Sequence, residues 1–258
     1  MHRRLFAALA LALLAHAAPA QTVSAPTAPS GVKNIVLVHG AYADGSCWSE
    51  VIALLQHDGY HATAVQNPLT SLADDVAATK RILALQDGPA ILVGHSWAGT
   101  VISEAGVDAK VAGLVYLSAR APDAGEDYAA LAARFPAAPA GAGLVKAGGF
   151  AQLDEEHFVR DFAGDLPPDR ARVLYAEQGR IADTLFASRT TVAAWKTRPS
   201  WYAVTTQDRT TAPELQRFVA ARMKAHTVEI AASHVSLISH PREVADLIET
   251  AAKEAAAR

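Results

Sequence analysis

Six short apolar runs recur along the chain with helix-patterned stretches between them, and no other feature narrows the fold so far. The runs are NIVLVHG (34–40), HATAVQN (61–67), AILVGH (90–95), VAGLVYLSA (111–119), SWYAVTT (200–206) and HTVEIA (226–231). With so little polar alternation and so much Val, Ile, Leu and Tyr, they suit strands covered on both sides, the usual condition of a parallel sheet. Helical spacing marks CWSEVIALLQHDG (47–59), SLADDVAATKRILALQD (71–87), TAPELQRFVAARM (211–223) and PREVADLIETAAKEAAAR (241–258). Ser71 is a good N-cap ahead of Leu72-Ala73-Asp74, and Pro241 suits a first helical turn. This alternation predicts an α/β fold with a mostly parallel sheet of about six strands, right-handed crossovers and helices on both faces.

The alternation breaks between about 121 and 199. This stretch holds a low-complexity segment, PAAPAGAGLVKAGG (136–149), then DEEHFVRDF, and runs on to TTVAAWKTRP. It is too long for a connection and holds no convincing strand, so a mostly helical insertion is expected. It follows a strand's C-terminal end, where open α/β sheets bind ligands, so it is expected to act as a cap.

The first twenty residues read differently. MHRRLFAALALALLAHAAPA has a basic start, an apolar stretch and Ala18-Pro19-Ala20, the three-part pattern of a secretory signal peptide cleaved after Ala20. The apolar stretch is shorter than the roughly 20 residues a membrane-spanning helix needs. QTVSAPTAPSG (21–31) is then a linker too poor in large apolar residues to fold, and 32–258 form one domain. Export to the periplasm or beyond is the expected location. Without Arg3 and Arg4, 21 basic residues face 26 acidic ones, a net charge of −5. With no basic tract left, nucleic acid and anionic membranes are poor candidates as partners. Cys47 is the only cysteine. No internal disulfide can form, so the thiol is expected to be a buried packing residue.

Within LVGHSWAGTV (92–101), Ser96 stands between a strand and a helix with small residues around it. That is the setting of a nucleophile elbow, a turn so tight that only small side chains fit two residues either side of the serine. Gly94 and Ala98 take those places, the second where the pattern has glycine, with Gly99 following. A serine hydroxyl needs a base, and His234, in the loop after the last predicted strand, is the candidate. His240 is its rival, but it directly precedes Pro241 and suits the helix entry. The base needs a carboxylate to hold its tautomer, and Asp208, directly after the penultimate strand, gives the order Ser96, Asp208, His234. Asp123 is the second choice of acid. An oxyanion would need two backbone donors, the N–H of Trp97 and that of Ala41 in LVHGAYADGSCW, where Gly40 allows close approach. His39 and His95 are expected to brace the structure rather than react.

LVHGAYADGSCW, GHSWAG, the Asp208 loop and SHVSLISHP together resemble the α/β-hydrolase superfamily in residue type, order and spacing, from Val32 to Ala251. Within it, the chain is most similar to small serine esterases of the plant methyl-ester hydrolase and hydroxynitrile lyase group. The resemblance implies the α/β-hydrolase fold with a compact cap, no cofactor, and acyl transfer through a Ser-His-Asp triad. The lyases have threonine where this chain has Gly40, and lysine where it has Val235. A valine cannot supply the charge that a departing cyanide needs, so hydrolysis is favoured. Trp97 also resembles the halide-binding tryptophan of haloalkane dehalogenases. Those enzymes attack with aspartate, whereas Ser96 would form an unreactive ether.

The expected function is therefore a serine hydrolase that cleaves small to medium apolar carboxylic esters, with a small-molecule ester as its partner and no metal. Phe150, Phe158, Phe162 and Trp195 are candidates for an apolar pocket. Cofactor-free perhydrolysis or haloperoxidation on the same triad, and ligand binding without turnover, are the alternatives.

Overall fold

The computed structural model describes residues 31–256. The expected signal peptide and nearly all of the linker lie outside them. In chain order the first elements are β1 (Asn34–Val38), α1 (Ser49–His57), β2 (His61–Val65), α2 (Leu72–Ala84), β3 (Ala90–His95), α3 (Ala98–Ala105) and β4 (Val111–Leu117). The insertion holds α4 (Tyr128–Ala132), β5 (Leu144–Ala147), β6 (Phe150–Leu153), α5 (Glu155–His157), α6 (Pro168–Glu177) and β7 (Ile181–Ala182). The chain then closes with β8 (Ser200–Thr205), α7 (Pro213–Met223), β9 (His226–Ile230), α8 (Ser236–Ser239) and α9 (Pro241–Ala255).

Six of these strands form one parallel sheet in the order β2-β1-β3-β4-β8-β9. Every residue of β1, β3 and β8 is buried. Alternate side chains of a strand point to opposite faces, so both faces of the sheet are covered. Helix pairs α1 with α9 and α2 with α3 supply much of that cover. Local chemistry fixes the helix starts as the sequence implies. The Ser71 hydroxyl accepts the Asp74 N–H at 3.0 Å, and Pro213 and Pro241 open α7 and α9.

The expectation of a strandless insertion needs correcting. β5, β6 and β7 form a small antiparallel sheet beside the helices. Gly148 and Gly149 connect β5 to β6 with φ of 59° and 82°, the doubly left-handed turn that a two-residue hairpin needs. The Gly-Gly pair in LVKAGGFAQL was the available signal. The strands are two to four residues long and β5 is largely exposed, so they lack the apolar runs that marked the main sheet.

Candidate active site

Ser96, Asp208 and His234 stand just past the C-terminal ends of β3, β8 and β9, so the parallel sheet delivers all three to one edge. Ser96 has φ of 55°, a left-handed conformation rare for a non-glycine residue. Its neighbours explain how the turn survives. A Cβ on Gly94 would lie 2.8 Å from the Ala98 carbonyl oxygen, and one on Gly99 would lie 1.9 Å from that of Arg120. Ala98 is accommodated, and the position that tolerates no side chain on the helix side is Gly99.

Hydrogen bonds join the three side chains. His234 Nε2 is 2.7 Å from Ser96 Oγ, and its Nδ1 is 2.7 Å from Asp208 Oδ2. The His234 and Asp208 side chains are fully buried, whereas Ser96 is partly accessible. Asp208 is saturated with donors: Thr205 Oγ1 at 2.9 Å and Gln216 Nε2 at 2.8 Å on Oδ2, and the N–H groups of Thr210 and Thr211 on Oδ1. Burial by itself would raise this carboxyl, but the attraction of His234 and the donated hydrogen bonds hold it below the usual carboxylate range. Asp208 is thus both a turn aspartate and the partner of His234. Gln216 was not singled out from the sequence, because nothing in one α7 residue reveals that it reaches back to the preceding loop.

The alternatives lie elsewhere. Asp123 takes Lys196 Nζ at 2.7 Å. His240 Nδ1 lies 2.9 Å from Ser239 Oγ at the entry to α9, where its side chain forms no cap bond.

The peptides that carry the Ala41 and Trp97 N–H groups adjoin Ser96. A Cβ on Gly40 would stand 2.8 Å from that of Ser96, so the Gly40–Ala41 peptide passes directly against the elbow. Among the described residues, neither the Ala41 nor the Trp97 N–H donates to another protein group. The opposite end of each peptide is tied down. His39 Nδ1 donates to the Gly40 carbonyl at 2.9 Å while its Nε2 accepts the Asn67 N–H, and the Ser96 carbonyl accepts from Gly99 and Arg120. Burial lowers His39, keeping the neutral tautomer this bonding requires. His95 is pushed down to about 3 by burial and by the nearby His234, and its Nε2 donates to the His234 carbonyl at 2.9 Å. The Trp97 indole N–H goes to the buried Asp75 carboxylate at 2.8 Å.

Ser96, Ala41 and Trp97 line a cavity of about 640 Å³ beneath the insertion, within the range of small-molecule sites. Its apolar wall comes from residues such as Phe135, Leu144, Leu153, Phe186 and Leu215. None of the four aromatic residues expected to form the pocket lines it. Phe158 and Phe162 pack on each other, with Phe162 against the His234 ring, while Trp195 is buried and Phe150 is exposed. Arg120 and Tyr128, unmarked in the sequence, do line it. Among the described residues no cluster of His, Cys, Asp and Glu could hold a metal, and no helix is long and apolar enough to cross a membrane.

Residues 35–247, most of the chain, match the alpha/beta hydrolase family. The chain belongs to that family. It is 39% identical over 101 residues to a pyrethroid hydrolase of Sphingobium wenxiniae, a match covering 34% of this chain and 36% of that protein. Across the curated relatives it matches, the chain spans only 36% to 46% of their length. Structural likeness runs further. The pyrethroid hydrolase of Sphingobium faniae superposes with a TM-score of 0.71 at 25% identity, covering 85% of this chain and 96% of that one. Polyneuridine aldehyde esterase shares the fold at a TM-score of 0.71 and 20% identity, covering 84% and 98%.

Proposed function

We propose that this hydrolase cleaves carboxylic esters of small to medium, mainly apolar substrates through an acyl-enzyme. One observation carries the reading: an unbroken hydrogen-bonded line from Ser96 through His234 to Asp208, opening at Ser96 onto an apolar cavity. Ser96 Oγ attacks the ester carbonyl carbon while His234 Nε2 takes its proton. Asp208 stays ionised, orients the ring and stabilises the imidazolium. The Ala41 and Trp97 N–H groups hold the oxyanion, each donor contributing about 3 kcal/mol to the transition state. The alcohol leaves with the proton from His234. Water, activated by the same nitrogen, then releases the acid and restores the serine. The similarity to a pyrethroid hydrolase supports this chemistry and makes pyrethroids worth including as substrates.

Purified protein incubated with p-nitrophenyl acetate and butyrate should release p-nitrophenol, and Ser96→Ala should abolish the release. Equal rates for the two proteins would overturn the reading in favour of ligand binding without turnover. The same reading takes the enzyme to be exported, so protein recovered outside the cytoplasm should begin at Gln21 on N-terminal sequencing.

A further inference from the structure

The wall of the Ser96 cavity carries a positive charge with no matching acid. Arg120 follows β4, and its guanidinium carbon lies 4.5 Å from the centre of the Tyr128 ring and 5.4 Å from those of Trp97 and Phe186. Among the described residues its only side-chain hydrogen bond is a long one, Nη2 to the Phe186 carbonyl at 3.3 Å, and Nε is buried without an acceptor. The neighbouring acids are committed elsewhere, Glu126 to Arg222 at 2.7 Å and Asp127 to Arg189 at 2.9 Å. Burial lowers Arg120 to about 10, which still leaves it charged at neutral pH. The three rings attract a cation but do not take the place of oxygen acceptors in the guanidinium plane. Of the groups a small molecule can bring, a carboxylate fits that planar fork best, through paired charge-assisted bonds.

We propose that Arg120 anchors a carboxylate carried by the substrate, so that the preferred ester is apolar along most of its length and bears one acid group besides the scissile bond. This rests on the esterase reading of Ser96 and adds a substrate class to it. A purely structural Arg120, tying Tyr128 and Phe186 of the insertion to Trp97 below, would also matter for stability. Only an anchor makes selectivity depend on substrate charge.

The test uses two matched pairs. Monoethyl adipate, with its acid on the acyl side, is compared with the corresponding terminal amide, and 4-butyryloxybutanoate, with its acid on the alcohol side, with its amide. In at least one pair kcat/KM should favour the acid about tenfold or more. That ratio should fall to near one in Arg120→Gln and recover in part in Arg120→Lys. Binding of the same pairs to Ser96→Ala, measured by calorimetry, should show the same preference without turnover, and Arg120→Gln added to that background should remove it. Ser96-dependent turnover with no acid preference in either pair would overturn the anchor while leaving the esterase reading intact. A preference that survives Arg120→Gln would do the same. Absence of all turnover would strike the esterase reading instead, and the calorimetric ratio would then decide the anchor alone.

Discussion

On the proposed mechanism, His39 acts without touching a reacting atom. Its Nδ1 holds the Gly40 carbonyl, and the other end of that rigid peptide is the Ala41 N–H, the oxyanion donor proposed above. His39→Ala should lower kcat about tenfold or more with little change in KM, because a misaligned donor is lost mainly in the transition state. Steady-state kinetics on p-nitrophenyl butyrate read this split. Asp208→Asn should have a larger effect, about 10⁴-fold in kcat, since an amide in that pocket would favour the wrong histidine tautomer. Its fold should persist by circular dichroism. Cys47 offers a simpler check, because burial pushes its thiol well above the usual range. A thiol reagent such as Ellman's should label it only after denaturation.

At the scale of elements, the insertion is fastened to both loops that carry His234 and Asp208. The π-helical turn Phe158–Phe162 presents buried Asp161 to Arg209 Nε at 2.6 Å, and the Asp161 carbonyl accepts Thr210 Oγ1. A few residues on, Asp165 accepts the Ser233 N–H at 2.9 Å and its hydroxyl as well. Asp165→Ala should loosen the 231–235 loop and cost roughly ten- to a hundredfold in kcat through misplaced geometry. Faster hydrogen exchange across that loop would accompany the loss, and unchanged exchange would contradict it. These long-range ties were illegible in the sequence, because a single aspartate in an irregular stretch carries no sign of its partner. Elements written in local pattern fared better. All six strands of the main sheet lie where the apolar runs placed them, and Ser71, Pro213 and Pro241 mark helix starts. Ser96, Asp208 and His234 stood out because each follows a strand end. Arg120 follows one too, but a lone arginine there has no spacing to single it out, and only the cavity reveals its setting.

For the whole molecule, buried carboxylates set the response to acid. Asp208 and Asp161 are held below the ordinary carboxylate range, in each case against burial, the first by His234 and the second by Arg160 and Arg209. A depressed group stabilises the fold above its unfolded pKa of about 4, and that stabilisation drains away as pH falls through the lower folded value. Asp75 runs the other way, since burial raises it, so its effect on stability worsens as pH climbs through the raised value. Thermal melts should therefore drop steeply below about pH 4, and Asp161→Asn should flatten that slope while lowering the neutral-pH midpoint.

The left-handed turn at Ser96 bears on the same melting curve. A glycine sits there more easily than alanine by about 1 kcal/mol, although both discard the hydroxyl. Ser96→Gly should therefore melt roughly 2–4 °C above Ser96→Ala, as calorimetry can read. If Ser96 is the nucleophile proposed above, the glycine variant would thus be the sturdier receptor in which to crystallise an intact ester.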